Sequence, residues 1–297
     1  MIDIKEIKSV KLTPFTKMSA SIYGVLGLVA AVIMLIALVI MQATGFVSEL
    51  GQFNIVTGFG IPMLVLFPIA AFFSTIMISF FSALLYNILV PRLGGIKLEI
   101  EDNDIVKIPV ISFSLILSAI GAIWGLIMGV VLAAVISPIF SVIGAISTMP
   151  GAANITANIT NSTGAALPSS AQIGAAGLIA SLVLIIGLPI LVFVFGFIWN
   201  ALFALLYNYV VTRVAKIKLE FNQITGNLHE LKHIPVIPTA LAVALVYTLL
   251  GLIFGVLSGN YFEFIADFVQ YFIQTALIAL LYNYLAPKIG SVKLNLE

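Results

Sequence analysis

Five stretches of this chain run for twenty residues or more without a charged side chain, and a sixth carries its two acidic residues, Glu263 and Asp267, near its start. The runs cover 18–41, 62–89, 110–136, 174–211, 238–257 and 262–286. About 20 apolar residues suffice to cross the hydrocarbon core of a bilayer. Backbone in lipid must satisfy its own hydrogen bonds, which restricts such runs to helices. The chain is 62% hydrophobic and only 8% charged, too little polar character to clothe a water-soluble domain of 297 residues. Six transmembrane helices are therefore expected. The first run follows a lysine-bearing start, but it is too long for a signal-peptide core and no small-residue cleavage site follows, so it reads as a retained helix. The fourth exceeds one span, which predicts tilt or an interfacial portion.

Orientation follows from charge. All 13 Lys and Arg residues lie before the first run, after the last, or in the even-numbered connections. None lies in the odd connections near 42–61, 137–173 and 258–261. The positive-inside bias then places both termini in the cytoplasm of a multipass cell-membrane protein. The long external loop 137–173 carries three glycosylation sequons, at Asn154, Asn158 and Asn161. The net charge of +1 leaves no general nucleic-acid footprint, and the absence of cysteine removes disulfides, thiolate nucleophiles and cysteine-based metal sites.

The pentapeptide Ala-Leu-Leu-Tyr-Asn occurs three times, ending at Asn87, Asn208 and Asn283. Aligned on it without gaps, a basic residue recurs at Arg92, Arg213 and Lys288, and a lysine at Lys97, Lys218 and Lys293. The front ends align as well, from Pro14, Ser112 and Pro238. Three tandem copies follow, at 1–104, 105–231 and 232–297. Each reads as strand, helix out, helix back, strand. The closing strands alternate strictly, as in Ile96-Lys97-Leu98-Glu99-Ile100-Glu101. The opening strands, expected at 7–13, 105–110 and 231–236, are weaker, and Pro109 and Pro235 push them towards edges or bulges. Residues 101–104 have good turn chemistry. The expected fold is thus a membrane α protein with a small β part: six transmembrane helices over a cytoplasmic antiparallel sheet of up to six strands, lying outside the hydrocarbon.

One copy resembles the small two-span bacterial membrane proteins grouped as "domain of unknown function 3566". The resemblance rests on the opening Pro14-Phe15-Thr16, the closing Leu85-Tyr86-Asn87, Gly94-Gly95 and the alternating strand after them. The second copy departs from it, with Ala215-Lys216 in place of the glycine pair and Ser112 in place of proline, and the third has Gly290-Ser291. It covers the ends of each copy rather than the middles. That family brings no activity with it, so the resemblance implies topology alone.

Two sets of residues are candidates for function. Stepping back by fours from each motif asparagine gives Asn87-Ala83-Ser79, Asn208-Ala204-Asn200 and Asn283-Ala279-Thr275, one helix face each. The first helices answer with small residues at Gly27/Ala31, Gly125/Gly129 and Gly251/Gly255. Such stripes zip helices together, or they converge so that Ser79, Asn200 and Thr275 form a polar seam on a pseudo-threefold axis. The second set is Tyr86-Asn87, Tyr207-Asn208 and Tyr282-Asn283, read as the joint where a returning helix leaves the membrane and becomes a strand. His229 and His233 flank Glu230 at a spacing that could begin a metal site on a helix, but a solvated loop is the expected setting. No phosphate-binding loop, nucleophile-base pair or deep intramembrane charge is present, which argues against an enzyme or a proton-driven pump and implies no cofactor. The leading expectation is a non-enzymatic scaffold or assembly subunit. Its partners would be the lipid bilayer, other membrane proteins or a cytoplasmic protein. The alternative is a passive pore or facilitator along the polar seam.

Overall fold

The computed structural model describes residues 2–44, 56–146, 169–259 and 263–297. The three sequons at Asn154, Asn158 and Asn161 lie outside the described residues. In chain order the elements are β1 (Asp3–Val10), α1 (Leu12–Ala43), α2 (Ile61–Leu93), β2 (Ile96–Glu101), β3 (Asp104–Lys107), α3 (Val110–Ile146), α4 (Ser170–Leu182), α5 (Leu188–Tyr209), β4 (Glu220–Thr225), β5 (Leu228–His233), α6 (Val236–Ser258), α7 (Glu263–Ile289) and β6 (Lys293–Leu296). A π-helical turn, Val183–Gly187, joins α4 to α5. Counting those two as one span, six helices among the described residues are long and apolar enough to cross a membrane. Many of their large apolar side chains are exposed: Leu257, Ile111 and Leu178 are 76%, 73% and 67% exposed. Apolar surface on that scale needs a nonpolar surrounding.

The chain forms two compact units. One holds Met1–Ile116 and Ala201–Glu297, and so all six strands; the other holds Leu117–Asn200. In the first, the strands form one antiparallel sheet in the order β3-β2-β1-β6-β5-β4. The alternation of β2 sets its faces: Ile96, Leu98 and Ile100 are buried while Lys97 is exposed. The turn from β2 to β3 has positive φ at both central residues, Asp102 (49°) and Asn103 (71°), as a two-residue type I′ hairpin requires. The turn from β4 to β5 has its positive φ at Gly226.

The edge strand β3 is also bonded to the segment that precedes β4. Asp104 bridges to Lys218, Ile105 N–H donates to Ile217 C=O at 2.9 Å, and Leu219 N–H donates to Asn103 C=O at 3.0 Å. The segment leading into β4 therefore covers the open edge of β3, and the strand order closes on itself. This contact covers part of an edge that would otherwise invite pairing with another chain.

Under the sheet, Met18 and Ile22 of α1 pack with Tyr282 and Ala286 of α7 and with Val292 at the foot of β6. Helix α6 is the most enclosed: Ala240, Ala242, Ala244, Val246 and Leu250 have no exposed surface. In the second unit, glycines on α3 meet backbone. A Cβ on Gly125 would lie 3.2 Å from Pro189 Cα, and one on Gly129 would run into the carbonyl of Leu184 in the π turn. In the first unit, Gly27 sits equally tight against Ala71 and the Phe67 carbonyl.

Several expected boundaries move. The opening strands end earlier than the alternation suggested, at Val10, Lys107 and His233, and the helices begin at Leu12, Val110 and Val236. Pro109 and Pro235 directly precede helices rather than marking strand edges. Their fixed φ and missing N–H suit a helix start, where the N–H would have no partner. The expected external loop 137–173 is shorter, because α3 continues through Pro138 to Ile146 and α4 begins at Ser170. Proline loses one helical bond but does not end an otherwise apolar helix. Ser169 and Gln172 close a reciprocal capping box that starts α4.

The absence of a glycine at the seventh position after Asn208 has a local consequence. Helices α2 and α7 end on Gly94 and Gly290, which take φ of 81° and 94°. Alanine stands at the aligned position 215, and α5 ends five residues earlier relative to the motif, at Tyr209, ahead of a 3₁₀ turn, Val211–Arg213. A side chain at positive φ is disfavoured, so the chain tightens its helix instead of reversing its backbone.

Candidate functional site at the helix-sheet joints

The tyrosine and asparagine of each motif lie near the sheet end of their helices, and each makes the same set of bonds. Asn87 Oδ1 accepts from Val10 N–H at 2.8 Å, and its Nδ2 donates to Val10 C=O at 2.9 Å. Asn208 does the same to Ile108, at 2.8 and 2.7 Å. Asn283 does it to Ile234, at 2.9 and 2.8 Å. Val10 is the last residue of β1, and Ile108 and Ile234 directly follow β3 and β5, so each sits where the chain passes from strand to helix. There neither ladder nor helix supplies partners, and buried backbone groups must find them. A side-chain amide carries one acceptor and a donor group, so it imitates a neighbouring peptide; a carboxylate could not donate to the carbonyl.

The tyrosines act one position earlier. The Tyr86 hydroxyl donates to Ile7 C=O at 2.7 Å and accepts from Ile96 N–H at 3.4 Å. Tyr207 donates to Ile105 C=O at 2.5 Å and accepts from Ile217 N–H at 2.9 Å. Tyr282 donates to Leu231 C=O at 2.5 Å and accepts from Val292 N–H at 3.1 Å. Each hydroxyl thus joins the strand entering a hairpin to the strand leaving it. The alanines one turn before the asparagines, Ala83, Ala204 and Ala279, are buried, and their size lets that face pack closely. The asparagines do not tie off their own helix carbonyls; their partners lie 77, 100 and 49 residues away.

The polar stripe spends its bonds locally. The buried Ser79 hydroxyl donates to Thr75 C=O at 2.5 Å, and Asn200 Nδ2 donates to Gly196 C=O at 2.7 Å, both on their own helices. Thr275 is half-buried. Ser79 and Thr275 belong to the first compact unit and Asn200 to the second.

His229 and His233 lie on β5, not in a loop. Four residues apart along a strand, they are separated by about 13 Å, too far to share one ion. His229 Nδ1 is 3.0 Å from Asn227 C=O, and His233 Nδ1 is 3.6 Å from the Glu220 carboxylate.

Sequence reading missed three contacts. The Thr239 hydroxyl both donates to and accepts from the Lys218 backbone, each at 3.2 Å, fastening the start of α6 to the segment leading into β4. The Asp267 carboxylate rests in the notch left by Gly251. Glu6 Oε1 accepts from Gly95 N–H at 2.8 Å and lies 3.2 Å from the Lys8 ammonium. No local pattern announces these, because each pairs residues distant in sequence. Burial alone would raise the carboxyl pKa of Glu6, but the Gly95 N–H, Lys8 and Lys97 outweigh it and hold it below the ordinary value. A depressed pKa adds stability above the unfolded-state value of 4.5, lost as pH falls through the folded-state value. Thermal melts of wild type and Glu6→Gln are therefore expected to differ at pH 6 and to converge in the acid range below pH 4.5.

No known protein family, curated protein or solved structure matches the chain.

Proposed function

We propose that this chain is a multipass membrane protein built of three tandem strand-helix-helix-strand copies. In this reading it works as a non-enzymatic scaffold or assembly subunit, offering its sheet to a partner on the cytoplasmic side. The observation that carries the proposal is the joint. In all three places the tyrosine reaches a closing-strand amide ten residues on. In all three, the asparagine's partner lies three residues after the tyrosine's carbonyl. The strand order supports it too, since each copy's opening strand lies beside its own closing strand and the next neighbour belongs to another copy. A lone copy would leave two open strand edges; three in one chain close the ring. The resemblance to two-span proteins fits a fusion of such units. Both bonded members of the polar stripe, Ser79 and Asn200, are occupied within their own helices, which favours a packed interior over a wetted seam.

The chain has no cysteine, so single-cysteine labelling needs no prior removal. Ser79→Cys, Asn200→Cys and Thr275→Cys are expected to resist a membrane-impermeant thiol reagent in native membranes. Gly226→Cys, at the exposed β4–β5 turn, is expected to react only once the reagent reaches the cytoplasmic side. Rapid labelling of all three stripe positions would replace the scaffold with the pore. Labelling of Gly226→Cys in intact cells would reverse the orientation.

A further inference from the structure

A groove of about 500 Å³ opens in the first unit where α2 ends, β2 begins and α3 starts. Its walls are mostly apolar: Leu93, Pro109, Ile111 and Leu115, with Ile111 73% exposed. Two polar side chains line it, Lys97 and Ser112. The Lys97 side chain is 60% exposed, and the nearest carboxylate oxygen, Glu6 Oε2, is 3.9 Å away. The other Glu6 oxygen is already taken by Gly95 N–H and Lys8. Neighbouring lysines are committed more closely, Lys107 to Glu99 at 2.8 Å and Lys218 to Asp104 at 3.0 Å. Lys107 also occupies the carboxylate of Glu99, two residues along the strand from Lys97. The groove therefore offers an under-compensated ammonium at the rim of an apolar wall, where membrane-length helices meet a polar sheet.

We propose that this groove binds an anionic phospholipid of the leaflet on the sheet side, with its phosphodiester at Lys97 and its acyl chains along Ile111 and Leu115. The volume lies within the range of small-ligand sites. A free phosphate would satisfy the lysine but leave the apolar wall in water, whereas a lipid matches both. This inference rests on the membrane reading above.

The test places a reporter in the groove, Ile111→Trp, and reads its fluorescence in vesicles of brominated phosphatidylglycerol or brominated phosphatidylcholine. Wild type supplies the background from Trp124 and Trp199. One lysine at a membrane surface contributes about fivefold in affinity, so quenching of the introduced indole is expected to favour the anionic lipid by about that factor. Adding Lys97→Gln should abolish the preference, and Lys97→Arg should keep it. Equal quenching by both lipids would overturn the site while leaving the membrane reading intact. No quenching by either would overturn the membrane placement itself. Loss of the preference on adding millimolar inorganic phosphate would reassign the groove to a soluble anion and overturn the lipid.

Discussion

Tyr207→Phe is expected to destabilise the protein by about 2–4 kcal/mol, because it strands one buried and one half-buried backbone group at once. Tyr207 has no exposed surface, and its hydroxyl serves Ile105 C=O and Ile217 N–H. Phenylalanine fills the same space without donor or acceptor, and no water replaces the hydroxyl without opening the packing. The contact also lies at the thinnest seam of the sheet, where β3 meets the segment before β4 through one bridge and two backbone bonds. Tyr86→Phe should be milder, since its bond from Ile96 N–H is long at 3.4 Å. Tyr209→Phe, at a side chain 66% exposed, serves as the control with an effect near zero. Reversible unfolding in mixed detergent micelles measures all three. If Tyr207→Phe behaves like Tyr209→Phe, the hydroxyl is not what joins the strands.

The second large effect is a pair of glycine substitutions with opposite signs. Gly129→Ala would drive its Cβ into the Leu184 carbonyl, with the carbonyl carbon 2.9 Å away. The obstacle is backbone in the π turn between α4 and α5 and cannot rotate aside, so α3 must move away from that helix. Overpacking of this kind costs about 1–3 kcal/mol. Gly174, within α4, has nothing within 4 Å of the equivalent position. Gly174→Ala should therefore stabilise by about 0.5–1 kcal/mol through helix propensity alone. The same unfolding assay reads both. Two changes of one sign would mean that backbone contact at Gly129 does not set the spacing of these helices.

The tyrosine joint and the glycine contact differ in how much of each a sequence reveals. Alignment on the pentapeptide points to Tyr207 before any coordinates exist. It does not say that the hydroxyl inserts between two strands, or that Asn208 completes the peptide group of Ile108 a hundred residues away. The small-residue spacing flags Gly129 as a contact position, yet the contact depends on a π turn on another helix. Asp267 and Glu6 look like ordinary charges until their partners, Gly251 and Gly95, are placed beside them.

By itself the sequence determined what is local. Runs of apolar residues make six helices of membrane length, period-two alternation makes strands such as β2, and the turn residues at 102–103 set a tight hairpin, because each depends only on the covalent neighbourhood of the chain. Tertiary structure decided the rest. It set the strand order and its closure by Asp104 and Lys218, the starts of α3 and α6 directly after their prolines, and the partner of every motif asparagine. These depend on which distant backbone groups would otherwise remain buried without a hydrogen bond, and that becomes defined only when the helices and the sheet are packed together.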